Sequence, residues 1–160
     1  MALVVPGLAE ARGFDAARAV LVDAEALLDD IAKQGAWEAF LENVSIDEQM
    51  SRALLSLVFA ALALGDTGYA LDLARRAEPE YRVVALTRVA KELVARYFEA
   101  APVQRKSLHR NISQLLGEIW GVGPWYAALD LVATFDAGLV RSIARETLLG
   151  FDADPAATAQ

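Results

Sequence analysis

The only histidine, His109, is the first residue to test for chemistry, because a Ser-His-Asp relay or a histidine-rich metal site would have to be built around it alone. Ser107 lies two residues away, on the wrong side of a helix to meet it. With Arg105, Lys106 and Arg110 nearby, His109 reads as a surface residue in a cationic setting. The carboxylates Asp23, Glu25, Asp29 and Asp30 are closely spaced, but an acid-base pair or a two-metal site needs inward-facing partners on other helices, and no Glu-x-x-His motif supplies them. They read as the solvated face of a helix whose core-facing stripe is Val20, Ala24, Leu27 and Ile31. No Gly-x-x-x-x-Gly-Lys-Ser/Thr phosphate loop occurs, and with no cysteine there is neither a disulfide nor a thiolate ligand. No catalytic set, cofactor site or metal site is expected.

Basic residues come in two groups. Arg82, Arg88, Lys91 and Arg96 share one helix, and Glu92, four residues from both Arg88 and Arg96, predicts intrahelical ion pairs. Arg105, Lys106 and Arg110 form a denser cluster on the next helix, a weak nucleic-acid signal. The most specific local motif is Ile119-Trp120-Gly121-Val122-Gly123-Pro124-Trp125-Tyr126-Ala127. Gly121, Val122, Gly123 and Ala127 match the turn of the helix-hairpin-helix family, which the segment resembles. The resemblance implies a DNA phosphate received by the backbone N–H groups of Gly121 to Gly123, with Val122 pointing inward, Ala127 at the helix crossing, and Arg105, Lys106 and Arg110 contributing charge. Asp136, Arg141 and Arg145 loosely follow the spacing of that family's base-excision glycosylases, whose bifunctional members carry a lysine nucleophile missing here. Trp125 and Tyr126 stand where basic or small polar residues commonly follow the second glycine. In the structural alternative the glycines only turn the chain, Pro124 starts the next helix, and Trp120, Trp125 and Tyr126 are core residues or interface anchors.

The elements that must position these residues are all helical, since no segment alternates with a period of two. Asp15 is the expected N-cap of a first helix with apolar positions Val20, Ala24, Leu27, Leu28 and Ile31 and a stop at Gly35. A short stretch at Trp37 to Leu41 follows, and Ser45 with Glu48 forms a capping box opening a helix to Leu64, closed by Gly65. Asp66 and Thr67 cap a short helix, Pro79 opens one reaching about Ala100, and Pro102 and Pro124 open two more. A last helix is expected from about Ala137 to Leu149, ahead of a disordered tail over 151–160. The implied organisation is an arm at 1–12, one α-helical domain over 13–150, and the tail.

Internal echoes suggest how the helices are grouped. A shift of 32 residues places Trp37 over Tyr69, Leu41 over Leu73, Glu48 over Glu80 and Ala53-Leu54 over Ala85-Leu86. Ala70-Leu71-Asp72-Leu73 returns as Ala128-Leu129-Asp130-Leu131, and Val89-Ala90-Lys91-Glu92 as Ile143-Ala144-Arg145-Glu146. Each unit is a short helix, a turn and a longer helix. The stretch from Gly65 through Tyr69, Ala70 and Leu71 to Pro79 resembles the middle of a tetratricopeptide-type unit, which implies antiparallel helix pairs stacked into a short right-handed array of about seven helices. The first helices are short for that family, and its spacing from tryptophan to leucine-glycine to tyrosine is lacking.

Composition sets the outer bounds. A chain of 160 residues suits one domain able to bury roughly two thirds of its unfolded surface. Met1 to Ala11 has no basic segment ahead of a long apolar stretch, so no export signal is expected. The apolar run Ala53 to Leu64 is far short of the roughly 20 residues that span a bilayer. Cytoplasmic localisation and no membrane partner follow. The net charge of −7 lies in residues 1 to 50, which disfavours nucleic acid there. A hydrophobic fraction of 56% is high for a soluble monomer and predicts a partner, either another protein or a second copy. The leading expectation is a non-catalytic helical-repeat protein for protein-protein interaction or assembly. The alternative is a small DNA-binding or repair domain using the turn at Gly121 to Ala127.

Overall fold

A computed structural model describes residues 13–34, 46–136, 138 and 141, apart from the side chains of Lys33, Gln34, Ile46 and Trp125. The chain is all-α. Among the described residues six α-helices follow one another: α1 (Phe14–Gln34), α2 (Ile46–Ala63), α3 (Thr67–Arg76), α4 (Pro79–Glu99), α5 (Pro102–Val122) and α6 (Leu129–Phe135). A 3-10 turn (Trp125–Ala128) leads into α6, and no strand occurs among the described residues. None of the described helices is long and apolar enough to cross a membrane. The stretch at Trp37 to Leu41, Ser45, the body of the last helix, the N-terminal arm and the C-terminal tail lie outside the described residues.

Local chemistry sets the boundaries. Gly13, at φ +90°, precedes α1, which starts at Phe14, so Asp15 sits in the first turn and is not the N-cap. Gly65, at φ +79°, reverses the chain after α2: its N–H donates to Leu62 O at 2.9 Å and the Asp66 N–H to Ala61 O at 3.0 Å. Only glycine takes such a backbone at no steric cost. Asp66 then caps α3, its Oδ1 accepting the Tyr69 N–H at 3.1 Å. Pro79 and Pro102 open α4 and α5 at positions whose N–H has no helical partner. Arg105 closes the end of α4 by donating from Nε to Ala100 O at 3.0 Å. Of the expected capping box, Glu48 is turned elsewhere, accepting from Arg52 and from the Tyr81 hydroxyl.

Each of α1 to α4 packs against the next, α2 also packs on α4, and α5 packs on the 3-10 turn. The core they enclose contains Leu21, Val58, Leu73, Leu86, Val89, Ile112, Ile119 and Val132. Each such side chain removed from water stabilises the fold by about 1.5–3 kcal/mol. Small residues permit the close approaches, with Ala17, Ala61, Ala70, Ala85 and Ala90 all fully buried. The core face of α1 is Ala17, Leu21 and Ala24, with Val20 and Leu28 packed partly buried against the core, so the expected stripe holds at Val20 and Ala24 and fails at Leu27. Leu27 is 54% exposed. The stripe is shifted because Ala17 and Leu21, which lie outside the expected pattern, take the most buried places. At the other end, Pro124 leads into the 3-10 turn before α6 begins. In the echoed tetrads Ala70 and Leu73 are buried, as are Ala128 and Leu131, while Asp72 and Asp130 are exposed.

Candidate functional site

Helices α2 and α4 meet the 3-10 turn in an open groove of about 600 Å³. Phe59 comes from α2, Val83, Val84 and Thr87 from α4, and Ala127 from the turn. Phe59 is 39% and Val84 50% exposed, so the groove presents apolar surface that the fold does not cover. Arg88 and Lys91 edge it. The Arg88 guanidinium lies 5.9 Å from the centre of the Phe59 ring and makes no ion pair among the described residues. Lys91 Nζ reaches Asp130 Oδ2 at 3.1 Å, tying α4 to α6. That contact, ahead of a smaller opposing effect of burial, holds the Asp130 carboxyl below its ordinary range.

The turn singled out in the sequence has a different construction from a phosphate cradle. Gly121 and Val122 end α5, the Gly123 N–H donates to Ile119 O at 2.9 Å, and Pro124 has no N–H. Gly123 is required by packing: a Cβ there would lie 2.4 Å from Val83 Cγ2. Arg105 and Lys106 lie toward the opposite end of α5 from the turn, and Arg110 near its middle. At the rise of an α-helix, Arg105 and Gly121 are about 24 Å apart along the axis. Arg105 is also occupied by α4 carbonyls and lies 5.9 Å from the Tyr97 ring centre. The structure thus leaves the basic cluster and the glycine turn apart. Among the three aromatics, Trp120 packs partly buried against the core, with its Nε1 buried and without a hydrogen-bond partner among the described residues. Tyr126, beside the groove residue Ala127, is 62% exposed. The Trp125 backbone opens the 3-10 turn, and its side chain lies outside the described residues.

The acidic helix is more than a solvated face. Arg76 on α3 pairs with both Glu25 and Asp29, and the Tyr69 hydroxyl donates to Glu25. Arg18 Nε reaches Asp66 Oδ2 at 2.8 Å. These contacts clamp α1 to the start and end of α3. Burial, then the hydrogen bond to the Glu25 carboxylate, pushes the Tyr69 hydroxyl well above its ordinary pKa of 10.0. For Asp66 burial opposes ionisation, but the Tyr69 N–H and Arg18 together outweigh it and hold the carboxyl below 3.8. His109 lies exposed on α5, its ring 4.8 Å from that of Phe135 and 6.2 Å from that of Tyr97. Among the described residues no group of three or more His, Cys, Asp or Glu side chains is placed to hold a metal ion.

Sequence reasoning missed the groove. The i, i+4 spacing predicts an ion pair of Arg88 with Glu92, whereas among the described residues Glu92 pairs with Arg96, at 3.2 Å. The available signal was Val83-Val84, two adjacent aliphatics about 100° apart on α4 that cannot both face one core. No family model, curated protein or solved structure matches the chain.

Proposed function

We propose that this chain is a non-catalytic helical-repeat protein of the cytoplasm that mediates protein-protein interaction or assembly. The carrying observation is the groove with half-exposed Phe59 and Val84, edged by an Arg88 that has no ion pair among the described residues. A concave apolar surface with a polar edge is the usual form of a site for a helix or an extended segment. Antiparallel helix pairs stacked in the manner of tetratricopeptide-type units account for a groove bounded by non-consecutive helices, since α2 and α4 flank it with α3 between them in sequence. The DNA-binding alternative gains no support from a turn whose Gly123 N–H is already bonded and whose basic cluster lies apart from it along α5.

Light scattering of the wild type and of Val84→Asp over micromolar concentrations tests the assembly reading. Association that is weakened at least tenfold by the substitution is expected. A wild type that stays at the 17.2 kDa of one chain throughout that range would sink it.

A further inference from the structure

We infer that the groove receives the outer face of α1 from a second copy of this chain, so that copies join head to tail. This rests on the assembly reading above and names its partner and geometry. The outer face of α1 sets large apolar side chains among its acids: Val22 is 44% and Leu27 54% exposed, on the side that also carries exposed Asp15 and Asp30. Ala19 and Ala26 are exposed with them and are small enough to let another helix come close. Asp23 lies on this face, exposed and without an ion pair among the described residues. The groove has the reciprocal pattern. Val84 and Arg88 sit four residues apart on α4, just as Asp23 and Leu27 do on α1, so each surface sets an aliphatic side chain and a charge one turn apart. The two charges are opposite, and neither has an ion-pair partner among the described residues.

A second copy fits better than a foreign helix, because one chain carries both halves on different helices. The inner side of α1 is committed to α2 and α3 through Leu21, Ala24 and the Arg76 clamp, so its outer side is turned away from the other described helices. A contact between two different patches is heterologous, and repeated copies then form a ring if the rotation closes or a filament if it does not. Opposite charges at the two patches favour this pairing over groove against groove, which would set Arg88 against Arg88.

Blocking one face at a time separates the possibilities. Val84→Asp blocks the groove and Val22→Asp blocks the outer face of α1. Both positions are exposed, and unchanged helical circular dichroism checks that the fold persists. Each variant alone should sediment as a monomer, while an equimolar mixture forms a one-to-one dimer that grows no further. Asp23→Arg and Arg88→Glu should each weaken wild-type association at least tenfold, and the two together in one chain should restore it. If Val84→Asp is monomeric but Val22→Asp associates like the wild type, the groove stands and α1 is not its occupant. A mixture that stays monomeric, or a double charge swap that restores nothing, likewise overturns head-to-tail pairing. A wild type that never associates overturns the assembly reading itself.

Discussion

The response to one added methyl group distinguishes Gly121, inside α5, from Gly123, just beyond its end. At Gly123 a Cβ would meet Val83 Cγ2 at 2.4 Å and Cγ1 at 3.1 Å, and the β-branched Val83 has little rotamer freedom with which to withdraw. Gly123→Ala should therefore destabilise the fold by about 1–3 kcal/mol, the usual range for overpacking. Adding Val83→Ala should recover part of that loss in a double-mutant cycle followed by urea unfolding. Gly121 is helical and exposed, and a Cβ there would meet nothing within 4 Å. Gly121→Ala should stabilise by about 1 kcal/mol in the same assay, since alanine restricts the unfolded chain at no steric cost. Tyr69 gives a second test. Its hydroxyl keeps its proton in the fold to a higher pH than in the unfolded chain, so its contribution is intact below pH 10.0 and declines above it. Tyr69→Phe should lose about 1.5–3 kcal/mol at neutral pH, the range for a hydrogen bond to a charged group, and show a shallower loss of stability in alkali.

Among elements, those with local causes were legible and those set by distant partners were not. Asp66 as the cap of α3, Gly65 as the end of α2, and Pro79 and Pro102 as helix openings all depend on residues within a turn of one another. The core face of α1 depends on where α2 presses against it and where polar contacts hold it to α3, and a pattern containing Val20, Leu21, Val22, Leu27 and Leu28 has more than one good stripe. The groove depends on a contact between α2 and α4 that no local spacing encodes. The glycine turn was visible as a motif, but whether its N–H groups are free depends on how far α5 runs, and it runs to Val122. Asp66 also links elements, since its carboxylate holds Arg18 of α1 as well as the first turn of α3. Asp66→Ala should cost about 1–2 kcal/mol, the upper part of the range for a lost cap. The folded carboxyl stays ionised to lower pH than the unfolded one, so the wild-type advantage is full above pH 3.8 and disappears as pH falls through the lower folded value. Thermal melts of both proteins from neutral to acid pH should converge.

For the whole molecule, charge separates the competing functions. The surplus of negative charge lies in residues 1 to 50, and the basic cluster of α5 is remote from the turn. Fluorescence anisotropy against duplex DNA at two salt concentrations should show no binding at physiological salt. Submicromolar, salt-sensitive binding would return the turn at Gly121 to Ala127 to consideration. The clamp between α1 and α3 also bears on how the molecule opens. Helix α1 lies at one end of the described stack, and Arg18, Glu25 and Asp29 hold it to α3 through ion pairs that are partly accessible to solvent. Helix α4, by contrast, contacts α2, α3, α5 and α6. Dissolved ions screen the first kind of attachment and leave the second almost untouched. Backbone amides of α1 should therefore exchange with deuterium sooner than those of α4, and added salt should widen the gap. Raising the protein concentration should narrow it, because a helix docked on a neighbour is slower to open.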